Sequence, residues 1–184
     1  MKNLRILAIA TVIVISLNAC SNDDPKPVNE DELITTITTT LKNGSQTITL
    51  VYKDLDGDGP YEPILVVSDN LKAATIYTGT VAFLNETTDP VGNIATEILA
   101  EGVDHQLFFQ APVAIGTFAY ADQDVNGKPI GLQFTLTTGE ATTGNLTITL
   151  RHQPNKSAAG VSSGNIANAG GATDASVSYP LVIQ

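Results

Sequence analysis

The sequence predicts an all-β fold, an antiparallel β-sandwich with one short helix, on three observations. Apolar residues alternate with threonine and other polar residues at period two over most of the chain, turn residues separate these runs, and only one stretch carries helical spacing. Threonine-rich faces set against aliphatic ones suit sheets with one wet side. About eight or nine short strands with turn signals between them favour a sandwich over a barrel.

The chain opens differently. Lys2 and Arg5 precede an apolar run from Ile6 to Ile15, the layout of an export signal. That run is about half of the roughly 20 residues a helix needs to cross a bilayer, so a permanent transmembrane anchor is not expected. It ends in Leu17-Asn18-Ala19-Cys20, and Cys20 is the only cysteine, which excludes a disulfide within the chain and a thiolate metal site. Residues 1–19 are read as a signal peptide, the cut ahead of Cys20 being what the resemblance of this tetrapeptide to the lipobox of bacterial lipoproteins implies. Residues 20–31 hold two prolines and several acidic groups with no apolar periodicity, a composition that makes an extended tether. The sandwich is expected over 32–184.

Within it, "LITTITTTL" (33–41) places Leu33, Ile37 and Leu41 on one face, and "QTITLVY" (46–52) places Ile48, Leu50 and Tyr52 together. Asn43-Gly44 between them is a hairpin signal. Further strands are expected over 64–67, 76–85, 106–110, 117–122, 130–138, 145–152 and 175–183. The exception is 91–103, where Ile94, Ile98 and Leu99 stand at helical spacing. The stretch 155–174 is rich in Gly, Ala, Ser and Asn, and so long a loop is expected to be functional or mobile.

Charge narrows the partners. Cleavage ahead of Cys20 would remove two of the 9 basic residues and none of the 19 acidic ones, leaving a formal charge of −12. No basic stripe is present to displace counterions from phosphates, so nucleic acid is not an expected partner. No nucleophile elbow, zinc-protease helix, phosphate loop or dinucleotide fingerprint occurs, and the absence of tryptophan removes the commonest stacking platform for sugars.

Two acidic loops and two histidines remain as candidate sites. "DLDGDG" (54–59) and "DQDVNG" (122–127) both fit the first half of a calcium loop, in which alternate carboxylates converge and the glycine permits a sharp turn. Asp54, Asp56 and Asp58, with Glu62 nearby, form the first candidate calcium site; Asp122, Asp124 and Asn126 form a weaker one. Neither continues as an EF-hand, because Leu65 and Gln133 occupy the twelfth positions. The alternative for both is a plain polar turn. His105 and His152 sit at the ends of two expected strands, with Asp104 beside the first; imidazoles from two strands with a carboxylate would suit a transition metal, and the alternative is edge-of-strand histidines that only hydrogen-bond. Calcium is thus a possible cofactor and no other is implied.

Four resemblances bear on the whole. Leu17-Asn18-Ala19-Cys20 resembles the lipobox of bacterial lipoproteins, which implies lipidation of Cys20; Asp23 and Asp24 resemble the acidic signal that sends Bacteroidetes lipoproteins to the outer face of the outer membrane. Leu71, Thr75, Tyr77 and Val81 resemble the tyrosine corner of fibronectin type III domains, which implies an immunoglobulin-like sandwich whose tyrosine hydroxyl reaches a backbone group upstream. The segments "DLDGDG", "HQLFF" and "LTITLRHQPNKSAAGVSSGNIANAGGATDASV" resemble a group of Bacteroidetes surface lipoproteins sometimes labelled as type 1 periplasmic-binding-domain proteins. That resemblance supplies no catalytic residues and implies company with outer-membrane receptors. The expected function is a lipid-anchored cell-surface binding module, accessory to an uptake receptor. The alternative is a structural or adhesive surface protein, and an enzyme comes third.

Overall fold

The computed structural model describes residues 33–57 and 59–184. The signal 1–19, Cys20, the tether 20–31 and Asp58 lie outside the described residues.

Period-two alternation builds the first hairpin. β1 (Thr36–Asn43) pairs with β2 (Gln46–Lys53), Asn43 opposite Gln46, so the turn residues are Gly44 and Ser45. Gly44 adopts φ 53°, a left-handed conformation that costs glycine nothing. Ile37, Leu41, Ile48 and Leu50 are buried, whereas Leu33, expected on the same face, precedes the strand and is exposed.

The larger sheet runs β3 (Ile64–Val67), β2, β1, β4 (Ile76–Asn85), β8 (Gln133–Thr138), β7 (Gly116–Tyr120), and the two-residue β5 (Gly92–Asn93) joins the end of β4. The smaller sheet runs β10 (Ala172–Ile183), β9 (Thr142–His152), β6 (His105–Gln110). All these pairings are antiparallel. Tyr77, Val81 and Phe83 of β4 and Phe134 and Leu136 of β8 share one core with Leu107, Leu146, Ile148, Leu150, Tyr179 and Leu181 of the smaller sheet. Burying each such side chain contributes about 1.5–3 kcal/mol. The chain is the expected all-β sandwich with one short helix.

The corner at Tyr77 works as its spacing predicts. Its ring is fully buried, its hydroxyl accepts from the Lys72 N–H at 2.8 Å and donates to Gln46 Oε1 at 2.9 Å. Leu71 forms a parallel bridge to Ile183 in the smaller sheet, and five residues later the chain enters β4 in the larger one. The hydroxyl thus pins the crossover between sheets.

Helix α1 (Ile94–Ala100) buries Ile94 and Ile98 but leaves Leu99 exposed. Seven residues make one apolar stripe at i and i+4, and Leu99 is rotated roughly 100° away from it. The strand expected from Ile130 begins only at Gln133. Residues 130–132 bridge the sheets instead: Ile130 O accepts from Leu107 N–H of β6 at 2.7 Å, and Leu132 O accepts from Val81 N–H of β4 at 2.9 Å.

His105 to Phe108 are buried without alternation, because the loop after β9 folds across the outer face of β6. Two 3-10 turns, Val161–Ser163 and Ile166–Asn168, lie in that loop. Val161 and Ala169 pack on Phe108, Gln106 Nε2 donates to Val161 O at 2.8 Å, and Asn155 N–H closes the loop on Ala169 O at 2.7 Å. The stretch expected to be a loop through 174 gives up its last residues to β10, which starts at Ala172.

Candidate functional site

β6 and β7 are each an edge strand of their sheet, and their aromatic side chains meet. Phe109 of β6 stacks on Phe118 of β7 with ring centroids 5.3 Å apart and planes within 7°, and Phe134 of β8 lies against Phe109 at 4.2 Å. Phe109, Phe118 and Tyr120 are only half-buried, because they line a cleft of about 260 Å³ whose further wall is Ser163 and Gly164 of the covering loop. This volume is just below the roughly 300–1,000 Å³ typical of ligand sites, so only a small molecule would fit. Tyr120 donates its hydroxyl to Leu107 O at 2.7 Å and accepts from Gln106 Nε2 at 3.0 Å. Burial pushes this phenol up to about 12, the nearby Asp122 charge adding to the effect and the Gln106 bond opposing it. It therefore remains a neutral hydroxyl at physiological pH.

The two histidines meet at the rim of the smaller sheet. His105, first residue of β6, stands directly opposite His152, last residue of β9. Their rings make an edge contact at 4.8 Å and 77°. The carboxylate beside them is Asp174 of β10, not the Asp104 expected from sequence: Asp174 Oδ2 lies 3.8 Å from His105 Nε2 and 3.7 Å from His152 Nδ1. Asp104 instead supplies its backbone carbonyl to Gln153 N–H at 2.6 Å.

The acidic loops are held by their own backbone. Asp54 Oδ1 accepts from Gly57 N–H at 2.8 Å and Asp56 N–H at 3.3 Å, Asp54 Oδ2 accepts from the Tyr52 hydroxyl at 3.1 Å, and Asp56 Oδ2 accepts from Tyr61 N–H at 3.2 Å. Burial raises the Tyr52 phenol and Asp54 raises it further, so this hydroxyl stays a donor. Glu62 is exposed. In the second loop the two carboxylates take different partners. Asp122 accepts from Gly131 N–H at 2.7 Å and Gln133 N–H at 2.9 Å, stapling the start of β8. Asp124 Oδ1 accepts from Asn126 N–H at 2.8 Å and Lys128 N–H at 2.9 Å, while its Oδ2 meets the Lys156 ammonium at 3.0 Å. Asn126 contributes its backbone N–H to this turn.

No family model matches the chain, and comparisons with curated proteins and with solved structures give no match. The cleft escaped sequence reading because Phe109 and Phe118 come from strands of different sheets. Asp174 escaped because it stands in a Gly- and Ala-rich stretch just ahead of the strand expected from residue 175.

Proposed function

We propose that this chain is a lipid-anchored module on the outer face of the outer membrane, accessory to an uptake receptor, and that it captures a small ligand in the cleft between β6 and β7. The aromatic cleft carries this reading. The stacked Phe109 and Phe118 rings line it with apolar surface, the Tyr120 ring bounds it, and Thr117 and Ser163 supply hydroxyls at its walls. The ligand class is a small molecule with an apolar face, neutral or cationic, since the formal charge of −12 left after cleavage ahead of Cys20 repels anions. Cys20 supplies the anchor, and multiple acyl chains on one residue hold a protein stably on a membrane.

The test is a thermal-shift and saturation-transfer screen of pyranose mono- and disaccharides and of aromatic amines, run on the native chain and on Ser163→Trp. Ser163 lies outside the main core, so the bulky replacement fills the cleft without disturbing the sandwich. Binding to the native chain that Ser163→Trp abolishes supports the reading. Binding that persists in Ser163→Trp, or none across the screen, removes it.

Edge strand β3 favours a second reading, docking to a protein. Ile64, Leu65 and Val66 are all exposed there, and an apolar sheet edge is a template for strand addition. Val66→Lys would abolish receptor association in that case and leave small-ligand binding intact.

A further inference from the structure

We propose that His105, His152 and Asp174 form a binding site for a single divalent transition-metal ion of the zinc class. The site lies at the other end of β6 from the cleft and stands or falls independently of it. One ligand atom from each residue lies within 4.8 Å of the others, and among the described residues this is the only group of three such side chains that close.

The fold builds the site from three adjacent strands. The register that sets Leu107 opposite Leu150 in the core also sets His105 opposite His152, on the same face, one step nearer the rim. Across β9, His152 pairs with Ala172, and the ladder then slips between Thr173 and Ala175. Asp174 is the residue inserted by that slip. A bulge re-aims a side chain next to a site, and here it delivers the carboxylate to the histidine pair.

The tautomer favours a cation. His105 Nδ1 is 3.2 Å from Glu101 O at the end of α1, and a carbonyl only accepts, so Nδ1 carries the hydrogen and Nε2 presents its lone pair. A ring N–H given to a backbone carbonyl is the usual outer support of a metal-bound histidine. That lone pair faces Asp174 Oδ2 at 3.8 Å, beyond hydrogen-bond range, and His152 Nδ1 faces the same oxygen at 3.7 Å. A positive ion among the three groups would take the His105 lone pair and the Asp174 charge together.

Distance and chemistry agree on its class. Zinc bonds of about 2.0–2.2 Å place neighbouring tetrahedral ligand atoms about 3.4 Å apart, so the carboxylate–imidazole spacings of 3.8 and 3.7 Å need closure by a few tenths of an ångström, and the widest spacing in the group, up to 4.8 Å, by about 1.4 Å. Two imidazoles with one carboxylate select zinc, copper or iron over the oxygen-seeking calcium and magnesium. The His105 side chain is 3% exposed and the His152 side chain 28%, so the ion enters past His152. Glu97 of α1 lines the same crevice, and it or a water completes four-coordination.

The experiment uses the full chain in detergent, stripped with a chelator and titrated with zinc chloride by calorimetry and with cobalt(II) in the visible spectrum. The expected result is one zinc per chain, four-coordinate cobalt bands, and a melting temperature raised by about 5–10 °C at zinc 100-fold above its dissociation constant. His152→Ala and Asp174→Asn, both at the rim, should retain the native circular dichroism and lower zinc affinity by more than about 100-fold. Asp54→Asn should bind zinc as the native chain does. Failure of the native chain to take up zinc, or uptake unchanged in both rim variants, overturns the proposal.

Discussion

Lys156 Nζ lies 3.0 Å from Asp124 Oδ2, and the two side chains are 6% and 2% exposed. The same ammonium donates to Pro129 O at 2.9 Å and to Gly102 O, so its three hydrogens meet three acceptors. One cation thus ties the start of the covering loop to the turn after α1 and to the segment that bridges the sheets. Burial lowers the pKa of this lysine from its ordinary value, and Asp124 works in the opposite direction.

Removing the carboxylate leaves a buried charge without its counterion. Breaking such a pair from one side costs about 3–5 kcal/mol. Asp124→Asn should therefore lose that much in urea denaturation. A loss under about 1 kcal/mol, the range of surface pairs, would show the contact to be wet in solution.

The pair also sets an acid limit. Burial opposes ionisation of Asp124, but the Lys128 N–H, the Lys156 ammonium and the Asn126 N–H outweigh it and hold the carboxyl below its ordinary 3.8. The native state therefore binds this proton less readily than the unfolded chain, whose aspartates titrate near about 3.9. The stabilisation is complete above that value and is lost as pH falls through the native pKa. Denaturation midpoints should hide this group between pH 8 and 5, and below about pH 4 the gap between native chain and Asp124→Asn should narrow. A gap that stays constant down to pH 2 contradicts the assignment.

What was legible in the sequence follows from which signals are local. Alternation located Ile37, Leu41, Ile48 and Leu50 because a half-buried strand must alternate, and the Leu71, Thr75, Tyr77, Val81 spacing located the crossover because the hydroxyl contact is five residues long. The acidic loops were ambiguous for a physical reason: alternate aspartates before a glycine serve a cation or cap their own N–H groups equally well. Leu33 and Leu99 misled because period alone does not say where an element stops. The histidine site needed register across three strands and a bulge, and the order of 155–171 needed Lys156 and Val161 to find distant partners. Neither leaves a local pattern.

The corner is testable by one oxygen. Tyr77→Phe keeps the buried ring but deprives the Lys72 N–H of its acceptor and Gln46 Oε1 of its donor. Leaving such groups unsatisfied costs about 1–3 kcal/mol, read as a lower urea midpoint with an unchanged slope. Tyr179→Phe is the comparison, because its hydroxyl contact to Ile37 O is long at 3.4 Å. Equal losses for the two would deny the corner its special place.

The anchor is testable by fractionation. Cys20→Ala should move the protein from the detergent phase to the aqueous phase, since the apolar run ahead of it is too short to span a bilayer. Equal recovery of both forms in the aqueous phase would remove the lipoprotein reading and leave a freely secreted domain.

The covering loop should open on its own when its small core is cut. Val161, fully buried, packs with Phe108 and Ala169 in a cluster separate from the main core. Val161→Ala removes two methyl groups, a loss of about 2 kcal/mol with the cavity included. The Lys156 pair holds the loop's beginning and Asn155 its closure, so the loss should fall on the segment between them as local opening. Hydrogen exchange of amides 161–169 should accelerate about 30-fold, the equivalent of that free energy, while Ile148 and Leu150 in the core keep their native rates. The cleft should feel the same change, because Ser163 and Gly164 form one of its walls, and any ligand that needs them should bind more weakly. Acceleration shared equally by loop and core amides would mean that the loop unfolds only with the whole sandwich, and that the cleft has a rigid wall rather than a separately adjustable one.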